Sequence, residues 1–280
     1  MNYTMGAMNH TFSKGERPIL THTRLVHDLS ALDVGAGQIV MLHASVKSVG
    51  WIVGGPDVIL HALREVLTPA GTLIMYVGWA DGTQDMDEWP LEEQHAYREE
   101  CPAFDPATSR AVKEWSVLTE YLRTTPGALR SNHPEASVAA VGAQAKWLTE
   151  SHPLQYGYGS DSPFEKLIQA GGKVLLLGSP LDSVTVLHYS ENVARVANKL
   201  ITCYQEPMLI DGQRTWVDIE EFDTSKGIAP WPEGDYFEAI LKAYIESREA
   251  GAGQVGSAQS YLLDARSLHT FAVQWMESNL

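Results

Sequence analysis

Apolar residues follow two different spacings along the chain, and together these spacings predict alternating strands and helices. Continuous apolar runs of the kind found in buried strands occupy residues 38–43, 72–77, 138–141 and 173–178. Between the first two runs, apolar residues recur from Pro56 to Val66 at the spacing i, i+3, i+4, i+7 of an amphipathic helix. A strand, a helix and a second strand in succession predict parallel pairing, which indicates the α/β class.

The rest of the pattern predicts more helices and an antiparallel extension. Helices are expected over residues 20–32, 112–123, 144–150, 164–170, 184–197, 236–247 and 268–276. Residues 200–220 alternate enough to predict a hairpin that turns at Asp211 and Gly212, and residues 253–263 predict a last strand. We therefore expect a single compact domain with a mixed sheet, parallel at its centre and flanked by helices.

Two segments lack this periodicity. Residues 1–17 are polar and irregular, and we expect a disordered tail ahead of one domain that spans residues 18–280. Residues 78–108 form an acidic insertion that contains tryptophan and has no strong periodicity, which predicts a binding loop rather than a packed connector. The remainder contains no repeat and no Ser/Pro-rich linker that would divide it.

Charge narrows the range of partners. The chain has 20 Lys and Arg residues and 35 Asp and Glu residues, a formal net charge of −15. This charge disfavours nucleic acid and anionic membranes and favours cationic ligands, although a solvated acidic surface explains it equally well. No stretch approaches the roughly 18 apolar residues of a membrane span, and the two cysteines, Cys101 and Cys203, form no metal or disulfide pattern. We expect a cytoplasmic protein.

The segment after the apolar run at 173–178 contains the strongest candidate for catalysis. His188 and Glu191 are three positions apart near the start of the predicted helix, so they share one face. Ligands in open α/β sheets collect at the carboxyl ends of strands, so His188 should face a cleft, and a carboxylate beside it would raise the basicity of its imidazole. A structural histidine beside an exposed glutamate fits the same spacing. A metal site would need a second set of ligands, which the sequence does not offer.

A loop rich in glycine and hydroxyl groups joins the first strand to the helix that follows it. Residues 43–56 contain Ser45, Lys47, Ser48 and several glycines, whose hydroxyl, ammonium and backbone amide groups could cradle a phosphate or diphosphate. The spacing matches neither the dinucleotide-binding nor the P-loop pattern, and a plain turn explains it as well. No nucleophile motif is present, which favours direct transfer without a covalent intermediate.

Acidic and aromatic residues concentrate in two stretches, residues 76–89 and 216–223. The first stretch contains Tyr76, Trp79 and Asp81. Carboxylates pair with ammonium groups and aromatic faces accept sugar rings and cations, so the two stretches together could bind a cationic amino sugar. Each stretch taken alone is also typical of a solvated loop.

Long segments of the chain, in unbroken order, resemble the aminoglycoside 3-N-acetyltransferase family. The similarity extends from Leu20 to Met276. It includes MLHASVKSVGWIVGGPDVILHALREVLTPAGTL, FDPATS, PGALRSNHPEAS and GSPLDSVTVLHYSE, which begin at Met41, Phe104, Pro126 and Gly178. The collinear set is specific, whereas each of its parts is common.

The resemblance implies a reaction and its substrates. Acetyl-coenzyme A (acetyl-CoA) would be the donor, and the 3-amino group of the 2-deoxystreptamine ring of an aminoglycoside antibiotic would be the acceptor. This acetylation would confer resistance to the antibiotic, and it would need no metal. The expected fold is the α/β fold of the antibiotic N-acetyltransferases. A related acyl-CoA-dependent N-acyltransferase that acts on a different amine is the alternative.

The resemblance also assigns residues to roles, position by position. His188 takes the family's catalytic position, with Glu191 beside it and Thr185 as the neighbouring hydroxyl. The coenzyme-binding positions are His43, Ala44, Ser45, Val46, Lys47, Ser48, Val49 and Gly50, with Arg130, Ser131 and His133. The antibiotic-binding positions are Tyr76, Trp79, Asp81, Asp182, Glu221 and Asp223.

These roles predict direct attack of a neutral amine on the thioester carbonyl. His188 would accept the proton, Glu191 would orient the imidazole, and Thr185 or a backbone amide would donate to the oxyanion. The chain departs from the family pattern at Asn132, at Asp182 and after Lys226, which leaves the range of accepted antibiotics open. The sequence does not indicate the oligomeric state. A non-catalytic binder of cationic sugars and a metal-dependent hydrolase are the remaining rival interpretations.

Overall fold

A mixed seven-stranded sheet lies at the centre of the protein. The computed structural model describes residues 19–80, 86, 89–232, 235–247 and 251–280. Among these residues the strands are β1 Ile19–Leu20, β2 Ile39–Ala44, β3 Trp51–Ile52, β4 Thr72–Tyr76, β5 Leu129–Arg130, β6 Val138–Gly142, β7 Lys173–Leu177, β8 Ile201–Ile210, β9 Gln213–Phe222, β10 Gly251–Val255 and β11 Ala258–Asp264.

The helices surround this sheet. Within the same described ranges they are α1 His22–Ala31, α2 Val46–Val49, α3 Asp57–Leu67, α4 Leu91–Glu100, α5 Val117–Arg123, α6 Ala145–Thr149, α7 Pro163–Gln169, α8 Leu187–Val193, α9 Tyr236–Ser247 and α10 Ala265–Asn279, with a 3-10 turn at Leu181–Ser183. None of the helices in this part of the chain is long and apolar enough to cross a membrane.

Strand order and direction confirm the predicted fold class. The order in the large sheet is β10-β11-β7-β2-β4-β6-β5, with β7, β2 and β4 parallel and the outer pairings antiparallel. In register, Met41 of β2 pairs with Val174 on one side and Ile74 on the other. The carboxyl ends of the three parallel strands therefore meet along one edge of the sheet.

The two faces of the sheet bury separate apolar cores. Met41 and Ile74 point to the face covered by α7, α8, α9 and α10, whereas Val40 and Leu42 point to the face covered by α1, α3 and α5. This alternation follows from the two-residue period of a strand. Helices on both faces explain why the central strands are apolar throughout.

The prediction of a loop over residues 78–108 was wrong in one respect, because this segment contains the helix α4. This helix buries none of its residues, so it has no apolar stripe from which a helical period could be recognised. It begins after Pro90, has Glu92 and Glu93 in its first turn and Arg98 in its last, an order of charges that complements the helix dipole.

Several other boundaries differ from the prediction, most clearly in three places. The helix expected over 112–123 begins only at Val117, where the side chain of Ser116 caps it. The helix expected over 184–197 is α8, which ends at Val193 because Ala194 is extended (φ −57°, ψ 138°). The last strand, expected over 253–263, is a hairpin of β10 and β11 that turns at Gly256, whose φ is +61°.

The hairpin of β8 and β9 is confirmed. The two strands pair antiparallel from Ile201 and Phe222 to Ile210 and Gln213, as a two-stranded sheet apart from the large one. Asp211 and Gly212 at its turn both have positive φ, 49° and 76°, as a two-residue turn of this twist requires. The expected tail at residues 1–17 lies outside the described residues.

Candidate active site

His188 and Glu191 form a buried hydrogen-bonded pair at the start of α8. His188 Nδ1 lies 2.6 Å from Glu191 Oε2, and the two side chains are 18% and 2% exposed. The i, i+3 spacing on one helical turn places them side by side. When Nδ1 carries the proton and donates it to the carboxylate, Nε2 is left as an acceptor, which is the arrangement of a general base.

Aromatic rings and a buried environment surround the pair. The imidazole of His188 contacts the rings of Tyr158 and Phe237, with centroids 4.7 and 4.8 Å away. Burial raises the pKa of the Glu191 carboxyl, and the neighbouring His188 acts in the opposite direction. The ionised form of Glu191 therefore depends on the hydrogen bonds that its two oxygens accept.

The carbonyl end of α8 is anchored by Lys199. The ammonium of Lys199 donates to the backbone oxygens of Glu191, at 2.6 Å, and Asn192, at 2.9 Å. It also lies over the ring of Phe222 at 4.5 Å from the centroid. A positive charge at this end of a helix satisfies carbonyls that lack an intrahelical partner.

A cleft of about 970 Å³ opens at the carboxyl ends of β2, β4 and β7. It brings together ten of the residues that the sequence assigned to the site: His43, Ala44, Ser45, Val46, Lys47, Tyr76, Asp182, Thr185 and His188, with Glu191 directly behind His188. This edge is where ligands bind in open α/β sheets. Its volume lies in the range of small-molecule and coenzyme sites.

The walls of the cleft fit the groups of acetyl-CoA. Lys47 and Ser45 line it, and an ammonium and a hydroxyl are groups that suit a diphosphate. Leu42, Ala44 and Met75 line it as well and give an apolar stretch for an alkyl arm. Burial lowers the pKa of His43 to about 4, so its imidazole is neutral at physiological pH. Among the residues that the structure describes, none forms a hydrogen bond with the buried Nε2 of His43.

The last three residues of the predicted coenzyme loop do not line the cleft. The hydroxyl of Ser48 donates to Ser45 Oγ at 2.9 Å and borders a neighbouring depression instead. Val49 is fully buried in the core. Gly50 has a φ of +123° and lies against Leu20, so it shapes the turn.

Arg130, Ser131 and His133 also lie away from the cleft, because their side chains are used inside the protein. Arg130 donates to the backbone oxygens of Ser109 and Val77 at 2.6 and 2.5 Å. Ser131 Oγ accepts from the amide of Val138, and His133 Nδ1 accepts from the amide of Ala136. Through these contacts the three side chains support the backbone around the site and do not line the cleft.

Three of the residues predicted to bind the antibiotic do not line the cleft. Trp79 is buried against Phe104, with ring centroids 5.7 Å apart. Glu221 is 2% exposed and does not line the cleft, and Asp223 Oδ1 accepts from the amides of Ser225 and Lys226 and shapes a turn. Asp81 lies outside the described residues.

The cleft also contains residues that the sequence did not single out. Tyr158 and Glu135 lie on its wall beside Tyr76, and the Tyr158 hydroxyl is 3.3 Å from the Tyr76 hydroxyl. Trp115, about half exposed, packs against Tyr76 with centroids 4.9 Å apart. These residues come from segments without regular periodicity, so no spacing in the sequence linked them to His188.

Within the described part of the chain, no cluster of His, Cys, Asp and Glu residues has the arrangement of a metal site. The chemistry that the site offers is proton transfer at His188 beside hydroxyl and backbone donors. Thr185 is buried against the cleft wall and its backbone oxygen accepts from the amide of His188 at 3.1 Å.

Comparison with known proteins gives one consistent result. The family model described as aminoglycoside 3-N-acetyltransferase matches residues 41–277. The chain is 49% identical to aminoglycoside N(3)-acetyltransferase III of Pseudomonas aeruginosa over 259 residues, which cover 92% of this chain and 94% of that protein. It is 43% identical to aminoglycoside N(3)-acetyltransferase VII of Streptomyces paromomycinus, with 93% of each chain covered.

Solved structures agree with the sequence relatives. The crystal structure of the aminoglycoside acetyltransferase AAC(3)-Xa superposes with a TM-score of 0.90 at 39% identity and covers 94% of each chain. AAC-IIIb in its binary complex with CoASH superposes with a TM-score of 0.87 at 43% identity and covers 93% of this chain and 97% of that one.

Proposed function

The chain belongs to the aminoglycoside 3-N-acetyltransferase family, and from that membership we propose how its residues carry out the family's reaction. The enzyme is an acyltransferase. It transfers the acetyl group of acetyl-CoA to the 3-amino group of the 2-deoxystreptamine ring of aminoglycoside antibiotics, which confers resistance. The observation that supports the proposed roles is the His188–Glu191 pair, bonded at 2.6 Å where α8 meets the cleft.

We assign the proton transfer to His188. An ammonium group is not nucleophilic, so the amine must lose a proton before or during its attack on the thioester carbonyl. Nε2 of His188 accepts that proton, and Glu191 stabilises the resulting imidazolium through Nδ1. Thr185, or a backbone amide of the segment from Ser179 to Thr185, donates to the oxygen on which negative charge develops.

We place the two substrates on different walls of the cleft. The loop from His43 to Lys47 binds acetyl-CoA, with Lys47 toward the phosphates. Tyr76 and Asp182 face the antibiotic, because an exposed carboxylate and a ring at the cleft suit a polycationic sugar. The location we propose is the cytoplasm, and the net charge of −15 gives no support for nucleic-acid or anionic-membrane partners.

Thiol release separates this function from transfer to another amine. The purified protein is given acetyl-CoA with gentamicin or tobramycin, or with amines that lack the 2-deoxystreptamine ring, and the free coenzyme A thiol is measured. We expect release with the antibiotics and acetylation at the 3-amino group. Release only with the other amines would favour the alternative N-acyltransferase.

The role of His188 is tested by His188→Ala. We expect kcat to fall by about 10² to 10⁴-fold, the usual contribution of a general base, with the KM for acetyl-CoA unchanged. The matched control is His61→Ala, which removes an exposed histidine that pairs with Asp57 at 3.2 Å on α3, away from the cleft. Wild-type turnover in His188→Ala would refute the assignment, as would an equal loss in the control.

A further inference from the structure

Tyr236 contacts the catalytic pair from behind the cleft. It is the first residue of α9 and is almost completely buried. Its hydroxyl donates a hydrogen bond to Glu191 Oε1, while Glu191 Oε2 is bonded to His188 Nδ1. The two oxygens of this carboxylate are therefore bonded to different partners, one to the base and one to the phenol.

The position of the Tyr236 hydroxyl is itself determined by the backbone. The amide of Ile228 donates to the phenol oxygen at 3.0 Å, which leaves the hydroxyl hydrogen directed toward Glu191. Gly227, the residue before Ile228, has a φ of +77°, and a Cβ there would lie 2.5 Å from Tyr236 Cε1. Only glycine permits this close approach. Gly227 and Ile228, which follow the cleft residues Thr224 and Ser225, therefore pack directly against the Tyr236 ring.

We propose that Tyr236 is a positioning residue for acetyl transfer, whose hydroxyl keeps the Glu191 carboxylate ionised and oriented toward His188 Nδ1. The inference rests on the function proposed above. Tyr236 does not line the cleft and acts only through Glu191.

The physical reason is that a buried carboxylate needs donors. Burial raises the pKa of Glu191, and Asp235, just before α9, acts in the same direction, whereas His188 and Lys199 act against it. A protonated Glu191 would donate to His188 Nδ1 instead of accepting from it, which would leave the proton on the wrong ring nitrogen. An O–H that donates to the charged form opposes this protonation. Glu221 on β9, whose own pKa is raised to about 7 by burial, is a further titratable group near His188.

Tyr236→Phe keeps the ring and removes the hydroxyl. We expect kcat to fall by about 10- to 100-fold, the scale of one hydrogen bond to a charged group, with the KM for acetyl-CoA unchanged. The acid limb of the pH profile of kcat should move to higher pH, because the pair of Glu191 and His188 takes up a proton more easily without the phenol. Thiol release measured across the pH range gives both quantities.

The chain offers a matched control on α8. The hydroxyl of Tyr189 donates to Glu165 at 2.9 Å, so Tyr189→Phe also removes a bond from a phenol to a carboxylate, but away from the cleft. This variant should keep the wild-type kcat and pH profile. The same change in both variants would show general loosening of α8 and would overturn the proposal.

A double-mutant cycle tests whether Tyr236 acts through Glu191. In a Glu191→Gln background, Tyr236→Phe should cause no further loss of kcat, because the group through which it acts is already altered. Independent, multiplicative losses would overturn the proposal.

A measurement without substrate separates this inference from the proposed function. The ring nitrogen shifts of His188, measured by NMR, report which nitrogen carries the proton in the neutral imidazole. Tyr236→Phe should reduce the preference for the Nδ1-protonated form, and an unchanged preference would overturn the positioning role even in an active enzyme. A reduced preference in a protein that acetylates no aminoglycoside would support the positioning role and overturn the proposed function alone.

Discussion

Glu221 illustrates how burial changes the role of a carboxylate. Its side chain accepts from the amides of Tyr158 at 3.3 Å and Phe222 at 2.9 Å. Burial raises its pKa to about 7, although both amides and the neighbouring His188 act in the opposite direction. The carboxyl is thus partly protonated at neutral pH, and it joins β9 to the loop of Tyr158.

Stability should therefore depend on pH through Glu221. Its pKa in the folded protein, about 7, lies above the ordinary value of 4.5, so the stabilisation it gives is complete below 4.5 and is lost as the pH rises through 7. Glu221→Gln removes this titration. The melting temperature of the variant, relative to wild type, should rise by a few degrees between about pH 5 and about pH 8, measured by thermal unfolding.

The neighbouring Glu220 supplies the control for this experiment. Glu220 is exposed and bonds to the hydroxyl of Tyr156 at 2.7 Å, so Glu220→Gln changes the same residue type without a buried carboxyl. Its melting-temperature difference from wild type should not vary with pH in this window. A difference that is equally flat for Glu221→Gln would contradict the role of burial.

For single residues, the sequence predicts membership of the site only where local spacing along the chain brings two side chains together. His188 and Glu191 were predictable because three positions on a helix bring two side chains together. Tyr158, Glu135 and Tyr236 were not, since they reach the site from distant segments of the chain. The burial of Glu221 in the interior, rather than at the cleft, likewise depends on packing that no local sequence pattern contains.

Among the elements, burial determines which could be predicted. The central strands β2, β4 and β7 were predicted to within one residue because both of their faces are buried and their sequences are continuously apolar. The exposed helix α4 has no buried residue and escaped the pattern. Helix ends such as that of α8 depend on backbone angles at single residues, which periodicity does not report.

The loop at 152–158, which ends at Tyr158, is fixed by the buried His133 and the partly buried His152. His152 Nδ1 lies 2.8 Å from Ser131 Oγ, and its Nε2 lies 2.7 Å from the backbone oxygen of Gly157. His133 Nε2 lies 3.2 Å from the backbone oxygen of Leu154, and the two rings are 4.9 Å apart. Burial lowers the pKa of His152 to about 4, so this ring stays neutral, and its Nε2 donates to the loop while its Nδ1 accepts from the Ser131 hydroxyl.

Gly157→Ala should disturb this loop. A Cβ at position 157 would lie 2.4 Å from His133 Nε2, closer than a packed ring can accommodate. We expect a loss of roughly 1–3 kcal/mol in the free energy of unfolding, measured by denaturant titration, as for other overpacked sites. Gly35→Ala is the control, because the nearest atom to its added Cβ is Gln38 Nε2 at 3.9 Å. Equal stability of the two variants would show that His133 moves aside freely.

For the whole molecule, charge distinguishes the two substrates. The protein carries a formal charge of −15, the antibiotic is a polycation and acetyl-CoA is an anion. Salt screens both the attraction between the protein and the antibiotic and the repulsion between the protein and acetyl-CoA. The KM for the aminoglycoside should therefore rise several-fold between about 0.05 and 0.5 M salt, whereas the KM for acetyl-CoA should stay level or fall.

Steady-state thiol release at several salt concentrations measures both constants, and potassium chloride and potassium acetate should give the same trend if screening is the cause. A parallel rise of both KM values would indicate loss of the folded site rather than screening. We also propose that residues 18–280 form the single domain that the sequence predicts, because the two large apolar clusters pack on the two faces of one sheet and include Leu20 and Met276 near the two ends of the chain.

The anchor of α8 limits how freely the β8–β9 hairpin can vary. A helix of seven residues is too short to persist by itself, and Lys199, which bonds its last carbonyls, rests on Phe222 at the end of the β8–β9 hairpin. A substitution at Phe222 would therefore also shift the support of the catalytic base, although Phe222 lies outside the cleft. The sequence of the hairpin is thus tied to turnover as well as to its own strand pairing.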